Sequence, residues 1–261
     1  MVAAMLAMAV FAACGDKEEL ALQAAASAAG EDSSAHMWME GTLEHCAQTA
    51  IQSSNALPAR EFWVDLCLPS GLLWAACNLG ANSPEEYGDY YAWGDTVPGD
   101  GENWNTYCHC DGSYYRMTKY CYDPQYGLDG YTDTLTVLQP EDDAATVHLG
   151  SSAHIPTASE WRELMANTTA QWATVGGVVG IRFSSNANGN NIFLPSTYGR
   201  RGGLYWSASL CISLPYGIHD AIKYNVGMGN LGSLSRARCC PIRAVCTRNR
   251  TENKQERRIV L

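Results

Sequence analysis

The chain has 261 residues, 46% of them hydrophobic and 17% charged, which is enough apolar material for one sizeable buried core. Its net charge is −10, and the last 15 residues hold five of the 17 Lys/Arg but only two of the 27 Asp/Glu, leaving the rest near −13. An acidic body without a basic, aromatic-interleaved stripe argues against binding to nucleic-acid phosphates.

Residues 2–13, VAAMLAMAVFAA, form an apolar stretch that ends in small residues ahead of Cys14. It is too short to cross a bilayer as a helix and reads as an export segment, residues 1–14. The run Phe11-Ala12-Ala13-Cys14 resembles a bacterial lipobox, which implies acylation at Cys14. An ordinary secretory signal and a cytosolic protein with an apolar start are the other readings. Gly15-Asp16-Lys17-Glu18-Glu19 resembles the surface-export signal of Bacteroidetes-type lipoproteins, so the expected place is the outer membrane, at the cell surface, lipid-anchored. Two or more acyl chains anchor stably where one does not. Residues 15–61, with AAASAAGEDSS at their centre, read as an Ala/Ser-rich tether.

A domain is expected over residues 62–246. Phe62 to Leu68 mixes aromatic and β-branched residues ahead of the turn Pro69-Ser70-Gly71, and Leu72 to Leu79 completes a hairpin. Ser83-Pro84-Glu85-Glu86 carries helix-start signals: Ser as N-cap, Pro at the first position, Glu at the third. Tyr87, Tyr90 and Tyr91 follow at helical spacing and are expected in the core. Residues 97–140 are rich in Gly, Asp, Tyr and Thr without periodicity, the pattern of a long irregular insertion. Thr157-Ala158-Ser159-Glu160 is a capping box, and Trp161, Leu164 and Met165 give the following helix one apolar face. Val178 to Phe183 and Asn191 to Leu194 read as strands about the turn Asn186 to Asn190. Leu204 to Leu210, Ala221 to Val226 and Cys240 to Cys246 read as a final set of strands. Two short helices among many short strands and long loops make an α+β domain. Residues 247–261 read as a basic, solvated tail.

Three stretches carry a family resemblance. They are VDLCLPSGLLWAACNLGANSPEEYGDYYAWGDT (Val64 to Thr96), DDAATVHLGSSAHIPTASEWRELM (Asp142 to Met165) and NNIFLPSTYGRRGGLYWSAS (Asn190 to Ser209). In this order they resemble the Fibrobacter succinogenes major paralogous domain, with Cys67 where that pattern usually has Gly. The resemblance implies a C-type-lectin-like domain: two short helices packed on small, mostly antiparallel sheets with long irregular loops. It also implies that Trp206 and Arg243 are framework residues, and that changeable positions lie between Tyr205-Trp206-Ser207-Ala208-Ser209 and Pro241-Ile242-Arg243-Ala244-Val245.

Those positions supply the candidate ligand-binding residues: Tyr216, Ile218, His219, Met228, Asn230, Leu231, Ser233, Leu234, Arg236 and Arg238. Gly227, Gly229 and Gly232 break the strand pattern, so Met228 to Arg238 is expected as a loop with exposed side chains. The expected function is non-catalytic ligand binding (recognition or adhesion) at the cell surface, toward an unknown glycan or protein. No catalytic residue, metal or cofactor is assigned. Cys108-His109-Cys110 with Cys121 lacks the C-x₂₋₄-C spacing of structural zinc sites. Asp95, Asp100, Glu102 and Asn103 share an acidic Gly-rich loop without EF-hand spacing. Ten cysteines besides Cys14 leave disulfides open. Two alternatives stand: an enzyme on a scaffold like that of the formylglycine-generating oxidases, and a structural surface or fimbrial component. For the enzyme, the adjacent Cys239 and Cys240 would have to meet one substrate from opposite faces of a strand.

Overall fold

The computed structural model describes residues 62–196, 203–212 and 220–248. The chain divides into two units, Met1–Ala56 and Leu57–Leu261, and every described residue belongs to the second. Its architecture is α+β. The elements, in order, are β1 (Trp63–Asp65), β2 (Leu73–Ala75), β3 (Tyr90–Tyr91), α1 (Ala144–Leu149), β4 (Ala153–His154), α2 (Ala158–Asn167) and β5 (Thr168–Val175). Then come β6 (Val178–Ser185), β7 (Asn191–Pro195), β8 (Leu204–Leu210), β9 (Asp220–Asn225), β10 (Asn230–Ser235), β11 (Cys240–Pro241) and β12 (Val245–Cys246).

Among the described residues the pairings between these strands are antiparallel and fall into small sheets ordered β1-β2-β12-β4, β5-β6-β7, β8-β9-β10 and β3-β11. The expected first hairpin is present, with Val64 opposite Trp74. β12 sits between β2 and β4, with Val245 pairing with both Trp74 and His154. The expected Cys240–Cys246 strand is split. Ile242, Arg243 and Ala244 interrupt it, so β11 pairs with β3 while β12 joins the first sheet.

β8 divides the interior. Neighbouring side chains on a strand point to opposite faces. Tyr205 enters one cluster, with Trp74, Trp161, Leu164, Phe183 and Tyr224. Trp206 enters the other, with Trp93, Tyr91, Tyr120, Leu138 and Ile242. Three of the four indole N–H groups near this divide are satisfied: Trp206 Nε1 donates to the Tyr91 carbonyl at 2.8 Å, Trp93 Nε1 to the Ser207 carbonyl at 2.8 Å and Trp161 Nε1 to the Trp206 carbonyl at 3.2 Å, whereas buried Trp74 Nε1 has no hydrogen-bond partner among the described residues. Trp161 stacks on Tyr224 with centroids 4.8 Å apart and planes 8° apart, and meets Trp74 edge-on at 4.9 Å.

α2 starts as expected. Thr157 Oγ1 accepts from Glu160 N, and the Glu160 carboxylate accepts from Thr157 N at 2.7 Å. Trp161 and Leu164 are fully buried. The other helix lies elsewhere than Ser83-Pro84 suggests. Residues 83–86 make one turn, with Glu86 N donating to the Ser83 carbonyl at 3.2 Å. The Glu86 carboxylate accepts from Asn82 N, not from the Ser83 amide. Gly88, at φ +68°, then turns the chain so that Asp89 N reaches the Leu79 carbonyl and Tyr90–Tyr91 enter β3. Tyr91 is buried as expected, but Tyr87 is 39% exposed. The second helix is α1, capped by Asp143, which accepts from Thr146 N at 3.0 Å and Ile155 N at 2.8 Å.

Candidate ligand-binding site

Within the last third of the chain, β9 and β10 form a hairpin laid against the divided core. β9 and β10 pair from Asp220↔Ser235 to Asn225↔Asn230. The tip is closed by Asn225, whose Oδ1 accepts from Gly227 N at 3.0 Å and Met228 N at 3.1 Å, while Gly229 takes φ +62°. Met228 is 71% exposed and Asn230 is exposed beside it. These two form the projecting part of the expected site.

Most of the other candidates are placed differently. Residues 230–235 are a paired strand, not a loop, because the ladder to β9 tolerates Gly232 over Lys223 without a side chain of its own. Leu231 packs against the Trp161 cluster and Leu234 against the Trp206 cluster, so both anchor the hairpin. Ser233 is half-buried opposite Ile222. Arg236 is fully buried, which corrects its expected exposure. Its Nη1 donates to the Tyr120 carbonyl at 3.2 Å, and its guanidinium lies 5.6 Å from the Trp93 ring centre and 6.0 Å from that of Tyr107. Arg238 is half-buried and its backbone bridges to Glu102. Tyr216, Ile218 and His219, like Cys14, lie outside the described residues.

Arg243 is a framework residue with no exposed surface. Its Nε donates to Asn78 Oδ1 at 2.9 Å, Nη1 to the carbonyls of Ala75 and Ala76, and Nη2 to that of Phe193. Asn78 in turn donates to Tyr87 O and to the Tyr205 hydroxyl, which itself donates to Pro195 O. One cation thus ties β2, β7 and β8 to the segment between β11 and β12 through neutral acceptors.

The insertion is seated on the segment after β10. Trp93 N donates to Arg236 O at 2.8 Å, Asn103 N to Ala237 O at 3.3 Å and Cys239 N to Gly101 O at 2.7 Å. Beneath it Tyr107, Met117, Cys121 and Ala237 form a third small core. In sequence the two regions lie more than 90 positions apart. The only signal joining them was the density of aromatic residues in an otherwise polar stretch.

The sulfur and imidazole groups face different partners. Cys108 Sγ points to the Gly94 carbonyl, Cys110 Sγ to that of Trp104 and Cys121 Sγ to that of Asp123. His109 Nε2 is 3.8 Å from Asp142 Oδ1. Among the described residues no group of three or more His, Cys, Asp or Glu side chains is arranged to hold a metal ion. Burial pushes the thiols of Cys77, Cys108, Cys110, Cys121 and Cys239 up, and that of Cys240 to about 12. Cys240 packs in the Trp206 core, whereas Cys239 packs against the core of the insertion.

One pairing went unseen in the sequence. His154 Nε2 lies 3.1 and 3.2 Å from the two Glu160 oxygens, beside a cleft of about 290 Å³ walled by Asp143, Thr146, Thr157 and Ala208. The capping box that starts α2 is what aims Glu160 back at β4.

Among the described residues no helix is long and apolar enough to cross a membrane. No family model, curated protein or solved structure matches the chain.

Proposed function

We propose that this protein is a non-catalytic recognition or adhesion protein, exported and held at the outer cell surface by a lipid on Cys14, with a C-type-lectin-like domain as its scaffold. The observation that carries the reading is the seating of the long 97–140 insertion and the β9–β10 tip on a frame fixed by Trp206 and Arg243. Irregular surface held by a rigid frame is the usual construction of a binding face. The upward-shifted thiols and the separate surroundings of Cys239 and Cys240 favour this reading over an oxidase.

The test is a screen of the full chain against arrayed glycans and cell-surface proteins, with and without Ca²⁺. It is repeated with Met228, Asn230 and Arg238 all changed to Ser. A ligand lost in that variant, with unchanged thermal unfolding, supports recognition through the hairpin face. Failure to capture any ligand, or capture of a small substrate that is turned over, overturns it. Cys14→Ser should shift the protein from the membrane fraction to the soluble one; equal membrane retention overturns the lipid anchor.

A further inference from the structure

In the sheet β5-β6-β7, β5 pairs only with β6. The register fixes which backbone groups that pairing uses. Ser185 N donates to Asn190 O at 2.7 Å and Ser196 N to Val179 O at 2.9 Å, so the odd-numbered residues of β6 face β7 and the even-numbered ones face β5. Thr169, Gln171 and Ala173, opposite Ser184, Arg182 and Gly180, therefore carry the ladder. Ala170, Trp172 and Thr174 turn their N–H and C=O groups the other way. Among the described residues nothing hydrogen-bonds to them there.

Comparable edges are closed. On β7, Phe193 O accepts from Arg243 Nη2 at 2.8 Å and Pro195 O from the Tyr205 hydroxyl at 2.9 Å. On β1, Asp65 O accepts from the side-chain amides of Asn188 and Asn190, both at 2.8 Å. β5 lacks the usual protections of an edge. Its eight residues, TTAQWATV, hold no charge and no proline and stay in continuous register with β6. Residues 169–172 are exposed in succession, so both faces of the strand are open. Ala170 and Trp172 lie opposite Phe183 and Ile181, which are buried in the Trp161 cluster, yet Trp172 is 38% exposed. The core ends at β6 while its apolar face continues onto β5.

Symmetry and charge select the occupant. The open groups lie evenly about Trp172. A second copy laid antiparallel, with Trp172 opposite Trp172, sets each Ala170 opposite a Thr174 and pairs every one of these N–H and C=O groups. The two Trp172 Cβ atoms come to about 5 Å, so the rings cover one another. The chain carries −10 overall, and only an uncharged seam lets two such bodies approach. Arg182, one strand in, stands three strand spacings, about 14 Å, from its copy. Glu85, against Gly176 at the strand's end, stands at the opposite end of the pair from its copy. A foreign strand offers the same backbone groups but not the matching ring.

We propose that β5 is a self-docking edge, through which two copies of this chain pair antiparallel at Ala170, Trp172 and Thr174 and join two three-stranded sheets into one. A single strand pair falls below the roughly 1,200 Å² of a stable interface, so the dimer is weak and reversible. This goes beyond the recognition reading and does not depend on it. A pair carries two binding faces, which raises avidity for any repeated ligand.

The test is sedimentation of the full chain carrying Cys14→Ser, in a thiol reductant, from about 1 µM to about 1 mM, the range of weak affinities. The parent should pass reversibly from monomer to dimer. Trp172→Lys and Trp172→Glu each set like charges face to face across the two-fold axis, and each should weaken association about tenfold. An equimolar mixture of the two variants should associate at least about threefold more tightly than either alone. Trp172 lies outside the core, so both variants should unfold at the parent temperature. A parent that stays monomeric throughout overturns the proposal. So does a dimer that both variants leave unchanged, or a mixture no tighter than its components, since either places the contact elsewhere or in another register. A monomer that instead binds an added uncharged peptide of alternating Thr and Val makes β5 a dock for a foreign strand and overturns the second copy.

Discussion

Cys67 sits at φ +49°, in the left-handed region that L side chains rarely adopt. The carboxylate of Asp65 holds it there by accepting from Cys67 N at 2.9 Å, and Asn188 Nδ2 lies 3.1 Å from its sulfur. That conformation costs a non-glycine residue about 1–2 kcal/mol. Glycine removes the cost but loses about 0.5–1 kcal/mol through the greater freedom of its unfolded chain. Cys67→Gly should therefore match or exceed the parent by up to about 1.5 kcal/mol in urea unfolding. Cys67→Val, β-branched and worse suited to positive φ, should fall below it. A Gly variant less stable than the Val variant would show that the turn depends on the thiol. The position was legible before the structure was known, since the resembling pattern has Gly there; the reason for Gly was not.

At the scale of elements, what could be read depended on whether the signal was local. The α2 capping box is complete within four residues, and the helix begins where it says. Ser83-Pro84-Glu85-Glu86 carries the same kind of signal, but Gly88 and the pairing of β3 with β11 override it. β5, TTAQWATV, is mostly exposed and polar, so it has no apolar alternation to read; only its ladder to β6 makes it a strand. The His154–Glu160 pair joins β4 to α2 and makes stability depend on pH. Burial pulls His154 down, but the Glu160 hydrogen bond, the Glu160 charge and Asp143 together hold it above its ordinary 6.5. Burial pushes Glu160 up, and its bonds to His154 and Thr157 hold it below its ordinary 4.5. A raised histidine stabilises fully below 6.5 and loses this as pH rises through its folded value. A lowered glutamate stabilises above 4.5 and loses this as pH falls through its folded value. The stability lost in His154→Gln should thus be greatest between pH 4.5 and 6.5 and shrink above it. His109 has the opposite sign. Burial lowers it, against the charge of Asp142, so its contribution is full above 6.5 and lost in acid. Urea midpoints from pH 5 to 9 for the parent and His154→Gln check this, and a difference that does not vary with pH would refute it.

For the whole molecule, the deciding fact is that the insertion and the final segment bury one another. Arg236 and Arg243 look alike in sequence, each a few residues from a strand. Arg243 was expected as framework only through the resemblance, whose closing run Pro241-Ile242-Arg243-Ala244-Val245 is short and local. Arg236 was not, because Trp93, Tyr107 and Tyr120, which enclose it, arrive from more than 100 positions away. For the same reason Leu231 and Leu234 read as exposed in a Gly-broken run but serve as anchors. Removing the guanidinium should therefore loosen the insertion before the rest. Arg236→Ala leaves the Tyr120 carbonyl without this donor and a cavity between two aromatic rings, a loss of about 3 kcal/mol. Arg236→Met fills the space and should lose less. In hydrogen exchange, the amides of Asn103 and Cys239, which bond across this junction, should lose protection first in Arg236→Ala. Those of β6, held between β5 and β7, should keep theirs until global unfolding. Equal loss across both regions would mean that the insertion is not a separable layer, and that a ligand on its surface would be felt directly by the main core.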